Sequence, residues 1–340
     1  MAKINQLLAL VKRNSELLIF AKSLNLKKGI VTKSTGSWYQ VRVDQEVWNC
    51  RIKGKIRLKG IRTTNPVAVG DVVKFEIEDA DDSRGVIAEI EPRRNYIIRK
   101  SVNLSKEAQI MAANIDTLFL VITLTSPKTL TAFIDRFLVT AEFYHIPAKI
   151  IINKTDLLTT DELKDDLELM KYVYTKIGYE VFEISALDKS SVEFLKKEID
   201  GNVVMFGGHS GVGKSTLINA LDENLNLKTG KISDYHKTGQ HTTTFAEMVE
   251  LKSGGFIVDT PGIRSFGLVD YDKSNLSHYF PEMRELLHEC KFNNCQHINE
   301  PKCAVKKAYE EGDIYPDRYQ NYLNMMNEDA GDPYRHNIYE

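Results

Sequence analysis

The stretch GHSGVGKS, residues 208–215, sets a lysine and a serine behind three glycines, and that spacing is suited to binding phosphate. Glycines let backbone N–H groups close around phosphate oxygens, and the helix that follows turns its positive N-terminus toward them. Gly208, His209, Ser210, Gly211, Val212 and Gly213 supply the loop, with Gly207 ahead of it and Thr216 behind. Lys214 is expected to reach the β- and γ-phosphates of a nucleoside triphosphate, and Ser215 to hold Mg²⁺. The apolar VVMFG before the loop and the helical KSTLINAL after it provide the strand, loop and helix that the motif requires.

A phosphate loop does not name the base, but NKTD at residues 153–156 does. Guanine presents N1–H and its N2 amine side by side, so the Asp156 carboxylate can accept both, whereas the N1 acceptor of adenine would repel it. Asn153 is expected to tie this loop to the phosphate loop, and the Lys154 stem to cover one face of the base, with Thr155 between Lys154 and the acid. SAL, residues 185–187, ends another apolar run, where Ser185 and the Ala186 amide can support the loop and meet the guanine O6. DTPG, residues 259–262, offers Asp259 to Mg²⁺ through water and the Gly262 amide to the γ-phosphate. Between the phosphate-loop helix and this last strand lies HTTT, residues 241–244, from which Thr243 is the expected third contact to Mg²⁺.

The elements that must position these residues read as α/β from about residue 101. Apolar DTLFLVITL, AKIIINK, YEVFEIS, VVMFGG and GFIVDTPG alternate with helical stretches such as LTAFIDRFLVTAEFY and DELKDDLELMKYVYTKIG. This alternation predicts a parallel sheet covered by helices on both faces. Each motif falls at a strand end, in the order base loop, base support, phosphate loop, switches. Most nucleotide-binding domains that carry both motifs place the phosphate loop first. Joining the old termini and cutting elsewhere preserves a site when the ends are close in space, so the domain reads as circularly permuted.

Residues 29–100 read differently, as five short strands in about seventy residues, which suggests a small barrel of the OB type. Arg51, Lys53, Lys55, Arg57 and Lys59 take every second position there, with Ile52, Ile56 and Leu58 between them. Period-two alternation puts the five charges on one face, a surface for a nucleic-acid backbone. Residues 27–62 hold ten basic and two acidic residues, and residues 63–91 two basic and eight acidic, so the barrel is electrically two-sided.

Four cysteines in 340 residues are too few for a disulfide framework. Cys290, Cys295 and Cys303 lie close together and, with His297, form C-x4-C-x-H-x5-C, three thiolates and an imidazole that can fill a tetrahedral Zn²⁺ shell. Four protein ligands leave no open position for water, so the site reads as structural. His288 is the nearest competing ligand, and Cys50, alone in a strand, reads as a small core residue. Forty-five basic and 47 acidic residues give a formal charge of −2, so any nucleic-acid surface must be local. No apolar run reaches the roughly 18 residues needed to cross a bilayer, and the chain is expected to be cytoplasmic with no membrane partner. Residues 1–28 read as an N-terminal extension, helical or disordered.

The permuted order, the string GHSGVGKSTL, the segment TGQHTTT, the preceding barrel and the following cysteine cluster together resemble the RsgA family, circularly permuted GTPases of small-ribosomal-subunit maturation. The resemblance covers about residues 29–325. It implies a monomeric late assembly factor that binds the small subunit and its rRNA, uses GTP, GDP and Mg²⁺, hydrolyses GTP when the subunit stimulates it, and leaves. Gln240 stands where the family has arginine, which puts any role of that charge in doubt. Ile263 follows Gly262 where many GTPases place a water-orienting glutamine, so His241 is the nearest candidate catalytic residue, a contact to rRNA or to the protein's own backbone being its other reading. The expected architecture is thus a barrel over 29–100, a permuted P-loop GTPase domain over 101–270 and a helical domain with one structural Zn²⁺ over 271–340. An RNA-binding assembly module with a passive nucleotide site is the competing reading.

Overall fold

A computed structural model describes residues 26–52, 65–100, 108–223, 225, 247–259 and 272–328. The chain divides after Asn114 into two compact units, residues 245–248 grouping with the first.

In the first unit, strands β1 (Leu26–Ser34), β2 (Tyr39–Val43), β3 (Glu46–Ile52), β4 (Val72–Asp79) and β5 (Arg84–Ile90) are ordered β1–β2–β3–β5–β4, and β4 pairs back onto β1 to close a barrel. The β3–β5 pairing is parallel and the rest antiparallel, the arrangement of an OB-type barrel. Alternation along each strand turns Val31, Val41, Trp48, Cys50, Phe75 and Ile87 inward. Strand β1 pairs with both β2 and β4 around Gly29, where a Cβ would meet the Arg42 carbonyl at 2.4 Å, so this crossing requires glycine. Cys50 is fully buried, and burial pushes its thiol up to about 12, as suits a core residue.

The first compact unit runs on past residue 100 to Asn114. Strands β6 (Tyr96–Lys100) and β7 (Ala108–Ala113) form an antiparallel hairpin, and Ala112 bridges Val69. The Asn114 side chain accepts from the Arg94 amide at 2.9 Å and donates to the Gly70 carbonyl at 2.9 Å. Beside it Arg93 grips Asp71 with two bonds of 2.6 and 2.7 Å, both side chains buried. These bonds tie the hairpin to the barrel side of the chain.

The second unit carries a parallel sheet. In chain order it contains β8 (Thr117–Ile122), α1 (Thr131–Phe143), β9 (Ala148–Asn153), α2 (Asp161–Ile177), β10 (Glu180–Ile184), α3 (Lys189–Ile199), β11 (Val203–Gly207), α4 (Lys214–Leu221) and β13 (Phe256–Asp259), with β12 (Glu247–Glu250), just before β13, divided between the two units. In space β10–β9–β8–β11–β13 lie side by side, all parallel. Every residue of β8 and β11 is buried, which is why both read as unbroken apolar runs. The chain builds outward from β8 to β10 and then returns to β11 on the other side of β8. The strand order therefore reverses between β8 and β11, and the crevice beyond their carboxyl ends is where such sheets bind ligands. Helix α2 is held at both ends, by the Thr160 side chain accepting from the Leu163 amide at 3.3 Å and by Gly178 at φ 108°.

From residue 272 the described chain contains α5 (Pro281–Arg284), α6 (Ala304–Glu310), α7 (Pro316–Asn327) and short 3₁₀ turns. Pro316 begins α7, where its missing N–H costs no helical bond. Phe280, Met283, Val305, Tyr322 and Met325 gather into a small core that Val139 of α1 completes. The expected extension over residues 1–28 lies outside the described residues, apart from the start of β1 at Leu26.

Candidate functional site

Strand β11 ends at Gly207, where a Cβ would collide with the Phe137 ring of α1 at 2.1 Å. The chain then turns through Gly208, Gly211 and Gly213, at φ 132°, 86° and 93°, conformations that favour glycine. Space is equally strict, since a Cβ would lie 2.2 Å from the Val121 carbonyl at Gly208 and 2.4 Å from the Asn153 amide nitrogen at Gly213. His209 stacks on Phe133 of α1, ring centroids 4.1 Å apart, and Val212 is buried beneath the loop while Ser210 is exposed. Lys214 opens α4 and its ammonium donates to the Gly208 carbonyl at 2.5 Å and to that of His209, across the mouth of the loop. Ser215 and Thr216 follow in the first turn of α4, Ser215 buried.

Strand β9 delivers Asn153 to this loop. Its buried side chain donates to the Val212 carbonyl at 2.8 Å and accepts from the Ala186 amide at 3.3 Å, joining three strand ends through one amide. Lys154 adopts φ 62° and donates to the carbonyls of Gly211 at 2.8 Å and Ser126 at 2.6 Å. Asp156 accepts from the Ser185 hydroxyl at 2.6 Å, and that same oxygen accepts from the Leu187 amide at 3.3 Å. Thr155, Asp156, Ser185, Leu187, Asp188 and Ser191 line an open cleft of about 530 Å³. Hydroxyl and amide donors from Ser190 and Ser191 hold the Asp188 carboxyl well below the usual carboxylate range, because it caps α3. Asp156 is then the carboxylate of this cleft whose partners leave it suited to a ligand with paired N–H donors.

Asn153, Lys154, Asp156, Ser185, Ala186 and the phosphate loop thus meet at one end of the sheet. Asp259 ends β13, though only its backbone is described. His241, Thr243 and Gly262, with Gln240 and Ile263, lie outside the described residues. So do Lys53, Lys55, Arg57 and Lys59, while Arg51 projects from β3 and pairs with Glu78. The motifs give no sign of Phe133 or Ser126, whose contacts to the loop pass through a ring face and a backbone carbonyl.

The second constellation is the cysteine cluster. Ligand atoms of Cys290, Cys295, His297 and Cys303 lie within 4.8 Å of one another. Tetrahedral bonds of about 2.3 Å to sulfur and 2.0 Å to nitrogen separate the donors by about 3.5–3.8 Å. The Nδ1 of His297 lies 3.3 Å from the Cys303 sulfur and 3.7 Å from that of Cys290, so the donor set fits a metal ion. Burial keeps the His297 imidazole toward its neutral, ligating form and pushes the Cys295 thiol up to about 12, a cost that a bound dication reverses. Glu300 holds the turn by accepting from the amides of Gln296, Ile298 and Asn299 at 2.7, 2.9 and 3.1 Å. His288 is mostly exposed and faces Glu289, apart from the cluster.

The family described as RsgA GTPase matches residues 90–269, and its N-terminal domain matches residues 28–87. The chain belongs to the RsgA family. It is 53% identical to the small ribosomal subunit biogenesis GTPase RsgA of Christiangramia forsetii, over 92% of this chain and 99% of that one. The protein of the same name from Flavobacterium johnsoniae is 51% identical over 92% of this chain and 96% of its own. Among solved structures, YjeQ from Thermotoga maritima superposes with a TM-score of 0.71 at 33% identity, covering 88% of this chain and 97% of that one. YloQ, described as a circularly permuted GTPase, gives 0.70 at 31% identity, with 88% and 94% covered. As an RsgA GTPase the chain is a GTP-hydrolysing enzyme, with guanine nucleotide and Mg²⁺ as its ligands, and the permuted order of its motifs agrees with the description of YloQ as a circularly permuted GTPase.

Proposed function

We propose that this RsgA GTPase is a late assembly factor of the small ribosomal subunit that binds rRNA, is stimulated by the subunit to hydrolyse GTP, and is released in its GDP form. The names of its relatives support the assembly role. The observation that carries the nucleotide reading is Asn153, which fastens the NKTD loop to both the phosphate loop and the Ser185–Ala186 turn.

In this reading the Asp156 carboxylate accepts the two guanine donors while Ser185 orients it, and Lys154 lines the base. The amides of Gly208 to Ser215 and the Lys214 ammonium bind the phosphates. Ser215, Thr243 and Asp259 would hold Mg²⁺, which when bound neutralises charge between the β- and γ-phosphates. Gly262 reads the γ-phosphate, and His241 positions the attacking water in the subunit-bound state. Cys290, Cys295, His297 and Cys303 hold one structural Zn²⁺, and Arg51, Lys53, Lys55, Arg57 and Lys59 meet rRNA phosphates. The protein acts as a cytoplasmic monomer.

Co-sedimentation with purified small subunits tests the cycle. The account expects tight association with a non-hydrolysable GTP analogue and weaker association with GDP. Equal association in both states would leave the nucleotide as a passive structural ligand.

A further inference from the structure

Helix α1 has two occupied faces. Its residues advance by about 100° each, so positions two apart point in nearly opposite directions. Phe133 and Phe137 face the phosphate loop, one stacked on His209 and the other against Gly207 with no room for a Cβ. Asp135 faces the other way, and there it is fully buried against the C-terminal helices.

Asp135 accepts from Arg318 of α7 at 2.7 Å, from Asn321 of α7 at 2.6 Å and from Tyr174 of α2 at 2.7 Å. Arg318, only 1% exposed, also donates through Nε and Nη2 to Glu282 of α5 at 2.7 and 3.0 Å, with its guanidinium 4.6 Å over the Phe280 ring. Apolar helix contacts tolerate small slides, but a planar guanidinium fixed between two carboxylates does not. Removing one member of such a network leaves a buried charge without its partner. The position of α1 is therefore set by α7, and the phosphate loop rests on α1.

We infer that Asp135 and Arg318 are positioning residues for the phosphate loop: acting through α1, they make the C-terminal module part of what holds the nucleotide. The inference rests on the loop being the GTP phosphate site, which GDP binding by the wild type tests separately. The route runs through packed helices of the described residues.

Release of a fluorescent GDP analogue from the full chain measures this. Arg318→Met should speed release about tenfold or more, Arg318→Lys about threefold, and Asp135→Asn combined with Arg318→Met should recover part of the loss because the fully buried position 135 no longer carries an unpaired charge. Zinc content and circular dichroism identify which variants fold, and the double variant and Arg318→Lys carry the test if Arg318→Met does not. Phe133→Leu weakens the other face of α1 and should also speed release. In the Phe133→Leu, Arg318→Met double variant the two effects should be markedly less than additive, since both act through one helix. Wild-type release rates in folded Arg318 variants, or strict additivity with Phe133→Leu, would overturn the inference, because a merely structural network would lower thermal stability and leave release unchanged.

Discussion

At the scale of single residues the account depends on Asp156. Its carboxylate is oriented by Ser185 at 2.6 Å, and a carboxylate matches the paired donors of guanine. Asp156→Asn should cost GTP affinity on the order of 2–3 kcal/mol and improve xanthosine triphosphate binding, because the new amide donates to the carbonyl that xanthine carries. Titration with both nucleotides checks it, and unchanged GTP affinity would remove the base assignment. His241→Ala should keep GTP and small-subunit binding yet lose most of the subunit-stimulated turnover, with little effect on the unstimulated rate. Equal stimulated rates in variant and wild type would place the water-positioning group elsewhere. The glycines of the phosphate loop were legible in the sequence because backbone geometry dictates their type. The loop needs glycine where φ is positive and where Val121 and Asn153 leave no room, and a guanine site needs an acid. Arg318 and Asp135 were not legible. They meet across 183 residues of chain, and no local pattern marks a buried arginine in a helix that otherwise reads as polar.

At the scale of elements, strands announced themselves by their period and helices by their length. Five barrel strands fall in the stretches that alternation marked, and β8 and β11 in the unbroken apolar runs. The membership of the β6–β7 hairpin in the first unit was not legible, since it rests on Asn114 and a bridge at Val69, contacts far apart in sequence. Two predictions belong to elements. Reversing Lys53, Lys55 and Arg57 together should weaken small-subunit binding and flatten its salt dependence by about one counterion per lost phosphate contact, leaving intrinsic hydrolysis alone. Binding and salt slope at wild-type values would make the alternating charges a solvated face. Cys295→Ser should release the metal and lower the thermal midpoint of the C-terminal helices, because a cluster with so little core draws its folding energy from the ion. The loss should reach α7, where the Tyr319 and Tyr322 hydroxyls donate to the carbonyls of His297 and Gln296 at 2.6 and 2.8 Å. Metal analysis of protein purified without chelators, finding no zinc, would defeat that prediction.

At the scale of the molecule, a barrel, a permuted GTPase domain and a helical metal module follow one another in the chain, and each has a distinct job in the proposed cycle. Permutation leaves the nucleotide site intact because Asn153, Ser185 and the phosphate loop converge whatever the order of the strands that carry them. It also places the C-terminal module after the last strand of the sheet, where α1 can bind the phosphate loop on one face and the module on the other. The central claim is that this enzyme's GTP hydrolysis is governed by the small subunit, and the most direct measurement is phosphate release at saturating GTP with and without excess purified small subunits. A rise of about tenfold or more, absent with large subunits, is the predicted result, since Ile263 has no group to orient the attacking water and the account assigns that step to the subunit-bound state. The same slow rate with small subunits, large subunits or neither would contradict the account.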